Sequence, residues 1–264
     1  MIVALLAIAS GPLGLREGLG RMRAEFVAMR YAQTAAEGLM ARPVDRAKVV
    51  GSVDRALELA PVHDVVTRQA GVLYMYAGAY PQAVKALRAL ERGDLSNDIS
   101  LGHCLLLTGE TEEGTALLLG AAAHAQKRRL SGRGGDYMYA TLMNNIGYAL
   151  ADGNAELPQA REFVRQAVEL APLQPAYIDS LGWVCYRMGE YKQAAFYLER
   201  AVRHGGARNS AENYYHLGAA YARLGKIRLA ARALLKALEY DPQYDEAISE
   251  LRRLRYELPP PMPV

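Results

Sequence analysis

The side chains able to ligate a metal or attack a bond are few and scattered. The 264-residue chain has five histidines, His63, His103, His124, His204 and His216, and two cysteines, Cys104 and Cys185. No two histidines stand in the His-x-x-x-His or His-Glu-x-x-His spacing that turns a helix face toward zinc, so they read as separate surface or packing residues. Two cysteines are too few for a thiolate zinc site or a disulfide framework. Ser131-Gly-Arg-Gly-Gly-Asp136 is rich in glycine but lacks the Gly-Lys-Ser/Thr that closes a phosphate loop. Glu112 and Glu113 are adjacent carboxylates at the start of an expected helix, where negative charge favours the helix dipole. The residue types therefore predict no catalytic residues, no metal site, no cofactor and no enzyme.

Composition sets the class of molecule that must position whatever the chain does use. Hydrophobic residues make up 51% and charged residues 22%, the balance of a folded chain rather than a disordered one. A net charge of +3 argues against a nucleic-acid partner. With 17 Tyr against 3 Phe and 1 Trp, most aromatic rings carry a hydroxyl that needs a hydrogen-bond partner.

An internal period then decides the fold. Gly71 and Gly78, Gly102 and Gly109, Gly182 and Gly189, and Gly218 and Gly225 are pairs seven residues apart. Twelve residues after each first Gly stand Ala83, Gly114, Ala194 and Ala230, and nineteen after it Leu90, Ala121, Ala201 and Ala237. A further copy runs from Ile146-Gly147 through Ala160 and Ala167 to Pro172, with one inserted residue. Within a copy, large residues at helical spacing surround one bare position, where a neighbouring helix approaches closely. The second Gly ends that helix, since it adopts positive φ freely. Small residues line one face of the next helix, and Asp241-Pro242, Ala171-Pro172 or Ala60-Pro61 closes the unit.

Tyr214, Leu217, Gly218, Tyr221, Ala230, Leu234, Ala237 and Pro242 together resemble a tetratricopeptide repeat. The stretch from Pro175 to Gly189, with Asn144-Asn-Ile-Gly-Tyr148 before it, resembles bacterial members of that family. Cys185, Gly114 and Leu90 depart from the pattern. The resemblance implies an all-α, right-handed superhelical solenoid of antiparallel helix pairs. It divides the chain into residues 1–29 as an apolar segment and lead-in helix, 30–242 as an array of about six units, 243–256 as a cap helix, and 257–264 as a Pro-rich tail. Residues 126–136, with Lys127, Arg128, Arg129 and Arg133, read as a basic Gly-rich loop inside the array. In a stacked array Cys104 and Cys185 fall in different units, too far apart for a disulfide.

The resemblance also implies a protein or peptide partner, held in a concave groove lined by the first helix of each unit. The groove residues expected are Asn144 and Tyr148, then Asp179, Trp183, Tyr186 and Arg187, then Tyr215 and Arg223. Trp, Tyr and Arg suit this role because they bring large contact area with few rotors to freeze; the competing reading is that Trp183 and Tyr186 fill the array's interior. The basic and Asn set of the family's carboxylate-clamp members is not matched, Asp179 standing among those sites, so a Glu-Glu-Val-Asp-like tail is not the expected ligand. The function expected is a non-catalytic scaffold or adaptor; the alternative is a self-assembling component of a membrane- or envelope-associated complex, a homo-oligomer.

Residues 1–15 carry no charged side chain and are shorter than the roughly 20 residues needed to span a bilayer. Three readings stand: a weak signal or anchor, an apolar helix packed on the array, and a surface-bound segment. The first makes the protein membrane-associated on a side left open; the second leaves it cytoplasmic.

Overall fold

The computed structural model describes residues 12–41, 44–61, 63–132, 135–206 and 210–255. Among them are thirteen α-helices in two compact units. The first unit, up to Glu91, holds α1 (Pro12–Met40), α2 (Arg46–Leu59), α3 (Asp64–Tyr76) and α4 (Tyr80–Arg88). The second, from Arg92, holds α5 (Leu95–Leu107), α6 (Thr111–Leu130), α7 (Asp136–Asp152), α8 (Leu157–Leu170), α9 (Pro175–Arg187), α10 (Tyr191–Gly205), α11 (Ala211–Arg223), α12 (Ile227–Tyr240) and α13 (Asp245–Arg253). Each odd-numbered helix up to α11 packs along the helix that follows it, giving six sequential pairs and a terminal helix.

The repeated glycines are the points where the two helices of a pair meet. A Cβ on Gly71, Gly102, Gly147, Gly182 or Gly218 would lie 2.5, 2.8, 2.5, 2.6 or 2.7 Å from Leu87, Leu118, Val164, Leu198 or Leu234. Four of these partners stand sixteen residues on; Val164 stands seventeen on, because the fourth pair carries the inserted residue. The insertion is absorbed in the turn before α8, where Asn154 (φ 55°) takes the left-handed position that Gly225 (φ 69°) takes elsewhere, and Glu156 (φ 41°) adds a second. In the third pair the departure from Ala to Gly114 serves the same close approach: a Cβ on Gly114 would meet the Gly102 carbonyl oxygen at 2.8 Å.

Gly147 gives the sharpest test of this contact. An added Cβ would fall 2.5 Å from Val164 Cγ2 and 2.7 Å from the Ala160 carbonyl oxygen, which is backbone and does not rotate away. Gly147→Ala gains about 1 kcal/mol of helix propensity yet is expected to destabilise by roughly 1–2 kcal/mol net, because overpacking outweighs it. Urea unfolding reads the difference; a neutral or stabilised variant would mean the α7–α8 contact is slack.

Within the second unit the packing is lopsided. The first helices of successive pairs, α5, α7, α9 and α11, touch one another in order and α11 touches α13, whereas α6, α8, α10 and α12 touch first helices and α13 but not one another. The first helices therefore lie closer together than the second ones, and this unit curves with α5, α7, α9 and α11 on its inner side. Caps fix where the helices start: Asp94 accepts from the Asn97 amide, and Ser210 and Asn213 form a reciprocal capping box at α11.

Three boundaries differ from the sequence expectation. The break expected between a lead-in helix ending at 29 and an array starting at 30 is absent, since α1 runs unbroken from Pro12 to Met40 and buries Ala28, Ala32 and Ala35 on one face. The loop expected at 126–136 is mostly helix: Lys127, Arg128 and Arg129 form the last turn of α6, where cations complement the negative end of the helix dipole. The terminal helix is shorter than 243–256, spanning Asp245–Arg253, and buries Ala247 and Leu251 as its apolar stripe requires. The first eleven residues of the apolar N-terminal segment, Arg133 and the tail at 257–264 lie outside the described residues.

Candidate functional site

The inner helices of the second unit carry a connected group of rings and charges. On α9, Trp183 sits one turn from Asp179 and one turn from Arg187, so all three share a face. The Trp183 ring is 3% exposed and sandwiched between Tyr186 on its own helix (ring centroids 4.7 Å apart, planes at 5°) and His216 on α11 (4.1 Å, 17°). Tyr215 packs obliquely against Trp183 at 5.9 Å and hands the stack on to Tyr244, before α13, at 5.5 Å. The Arg187 guanidinium lies 5.7 Å from the Trp183 ring centroid, a cation–π contact.

Two histidine–aspartate pairs flank this stack. His216 Nδ1 and Asp179 Oδ2 are 2.8 Å apart, with side chains 2% and 6% exposed. His103 Nε2, from α5, lies 3.0 Å from Asp152 Oδ2 at the end of α7, and Trp183 Nε1 donates to the other oxygen of Asp152 at 3.3 Å. Tyr148 sets its ring edge-on to His103 at 5.7 Å and donates its hydroxyl proton to Glu212 of α11. Asp152 thus ties α5, α7 and α9 together, and the His216–Asp179 and Tyr148–Glu212 contacts tie α11 to α9 and α7.

Burial and neighbours shift the titration of these groups. Burial works against charge on His216, but the Asp179 carboxylate, with Glu212 and Asp152 behind it, outweighs this and raises its pKa above the ordinary value. Burial pushes the Asp152 carboxyl up, and the hydrogen bond and charge of His103 pull it further down, for a net lowering. Glu212 is raised, mainly by burial. Burial also raises the Cys104 and Cys185 thiols, to about 12 and about 11, which keeps both free cysteines in the unreactive thiol form.

Of the residues expected in the groove, Tyr148, Asp179, Trp183, Tyr186, Arg187 and Tyr215 are brought together here. Arg223 joins through its Nε, which donates to the Tyr186 hydroxyl at 3.4 Å. Asn144 is a correction: its side chain is buried, its Nδ2 donates to Asn145, and its Oδ1 has no partner, while Asn145 is the exposed residue of the two. Trp183 and Asp179 also need restating, since both are interior and act on the face through what they hold rather than as exposed contacts. The reading of the histidines as separate packing residues is overturned for His103 and His216, which are partners of one network. His103, Asp152, Glu212, His216 and Tyr244 were missed. A register signal existed for two of them: His103 follows its repeat glycine as Tyr148 and Trp183 do, and Asp152 stands five residues after Gly147, as Arg187 and Arg223 stand after theirs.

Neither histidine of the network is hydrogen-bonded to a serine, threonine or cysteine among the described residues, and no group of three or more side chains that could hold a metal ion is found among them.

Comparison with known proteins agrees with this architecture. Residues 177–203 and 211–244 match the tetratricopeptide repeat model, which places that repeat on α9–α10 and α11–α12. A stretch of 64 residues is 41% identical to the TPR repeat-containing protein PA4667 of Pseudomonas aeruginosa, covering 24% of this chain and 11% of the relative's length. Among solved structures, PilW, a type IV pilus biogenesis factor, aligns over 85% of this chain and 98% of its own at 16% identity and a TM-score of 0.52. The anaphase-promoting-complex assembly Cut9–Hcn1 aligns over 80% of this chain and 40% of its own at 16% identity and the same TM-score. These structures share the fold of sequential helix pairs. Tetratricopeptide domains are in general protein–protein interaction modules and typically non-catalytic.

Proposed function

We propose that the chain is a non-catalytic scaffold that holds an extended segment or helix of a partner protein against the inner face of α7, α9 and α11. The observation that carries this reading is the clamped ring stack of Tyr186, Trp183, His216 and Tyr215. Two hydrogen-bonded carboxylates fix it before anything binds, Asp152 on Trp183 and Asp179 on His216, and half-buried Tyr186, Arg187 and Tyr215 stand at its surface. A face ordered in advance leaves the entropy of ordering mainly to the ligand. Rigid Tyr and Arg side chains on a buried support are the kind that dominate interface energies.

Arg187 separates binding from folding. Its guanidinium reaches over Trp183 and makes no hydrogen bond to the network among the described residues, while its charge favours the ionised Asp152, so Arg187→Gln is expected to lose about 1–2 kcal/mol of stability. The same change is expected to weaken partner capture by roughly tenfold or more, as for an interface Arg at the centre of a contact. Affinity capture with the full chain and the folded variant, side by side, reads this. A partner retained equally by both would move the interaction away from α9. Recovery of the chain's own copies, with a size that grows with concentration, would favour self-assembly instead.

A further inference from the structure

The α6–α7 hairpin differs from the other pairs in one direction. α6 has 20 residues where α8 and α12 have 14, and α7 has 17 where α5, α9 and α11 have 13. Measured from the repeat glycine at each contact, the additional residues are at the end of α6 and the start of α7, so the two helices extend together past their neighbours. At 1.5 Å per residue that is about 6–9 Å of protruding hairpin. Its tip places exposed apolar side chains beside exposed basic ones. Leu130 is 83% exposed, Tyr137 72% and Met138 57%, three large apolar side chains on one protrusion. Lys127 and Arg128, both exposed, form no ion pair among the described residues, and Arg129 is held over Tyr139 at 4.5 Å with its charge matched by Asp136 at 2.9 Å. A cavity of about 220 Å³ opens between the two helices at this level, bordered by Arg128, Met138 and Leu142.

We propose that the tip of the α6–α7 hairpin docks on an anionic lipid surface, Leu130, Tyr137 and Met138 entering the interface while Lys127 and Arg128 meet the headgroups. An isolated apolar tip in water is unfavourable, and uncompensated cations beside it repel one another; an anionic interface relieves both at once. Leu, Tyr and Met backed by Lys and Arg are the residues that sit at the level of headgroups and upper acyl chains. Attraction to the surface charge supplies about a fivefold gain in partitioning per basic residue, and the apolar side chains resist the salt that screens it.

The test uses the full chain with a Ser131→Cys substitution carrying an environment-sensitive dye. Cys104 and Cys185 are buried, so the label goes to the hairpin tip and reports insertion there, whatever any other segment does. Vesicles of phosphatidylcholine with phosphatidylglycerol are expected to shift the emission to the blue, and vesicles of phosphatidylcholine alone are not. Lys127→Gln with Arg128→Gln should lower partitioning by roughly twentyfold, and Leu130→Ser by about tenfold. Absence of a shift on anionic vesicles overturns the proposal. So does a shift that Leu130→Ser leaves unchanged, or equal binding to polyglutamate, either of which would assign the tip to an acidic protein surface.

Discussion

Trp183→Ala is expected to lower the folding free energy by about 3–5 kcal/mol, the range for removing a buried large aromatic side chain. The physical reason lies in what the indole touches. It fills the space between Tyr186 and His216, supports Tyr215, and satisfies Asp152 through its N–H. Removal leaves a cavity lined by two rings that lose their stacking partner and a carboxylate that loses a donor. Trp183→Phe separates the contributions: it keeps most of the stacked area and loses the hydrogen bond, and should lose only about 1–2 kcal/mol. Urea unfolding of the full chain measures both. An Ala variant within 1 kcal/mol of wild type would mean the inner face is not organised around this residue.

Asp179→Ala should have an effect of similar size. Removing one member of a buried pair strands the other, and losses of about 3–5 kcal/mol are usual. The pair adds a pH signature. His216 has a folded-state pKa above its ordinary value, so its contribution is complete below about pH 6.5 and is lost as pH rises through the folded value. Glu212, also raised, acts in the same direction from a lower starting point: the folded state holds its proton longer than the unfolded chain, so stability falls as pH rises through that window. Asp152, lowered by His103, acts in the opposite sense and withdraws its contribution as pH falls through its folded value. Wild-type stability is therefore expected to peak in the mildly acidic range and to decline as pH rises above about 6.5. The gap between wild type and Asp179→Ala should narrow over that rise. Denaturant melts at pH 5.5, 6.5, 7.5 and 8.5 give the comparison, and a wild-type profile that is flat above 6.5 would remove the charged His216–Asp179 pair as a source of stability.

Both expectations bear on function. On the proposed reading, a face whose central tryptophan and histidine are interior leaves specificity to the half-buried residues at its edge. Arg187, Tyr186 and Tyr215 are the ones in that position, and Arg223 reaches them through the Tyr186 hydroxyl.

The glycine register alone determined five of the six helix pairs, α3–α4 to α11–α12. A bare position recurring with an Ala or Gly twelve residues later leaves only one arrangement in which two helices meet at small residues, and Gly147 with Val164 follows it even across the inserted residue. The second glycine or Asn154 marks each turn for the equally local reason that left-handed backbone disfavours side chains with a Cβ. What the tertiary structure alone decided is which polar residues face one another. His103 and Asp152 stand forty-nine residues apart, His216 and Asp179 thirty-seven, and no periodicity within one repeat encodes the pairing of a histidine in one copy with a carboxylate in another. The same holds for Asn144 against Asn145, where the orientation of α7 about its axis, set by its neighbours, decides which side chain is buried. Lys127 to Arg129 looked like a loop because glycines follow them, yet the helix dipole and the hairpin's length carried α6 through all three. Local spacing fixes where helices start, stop and touch; the identity of the face they build depends on contacts between repeats that only the packed array supplies.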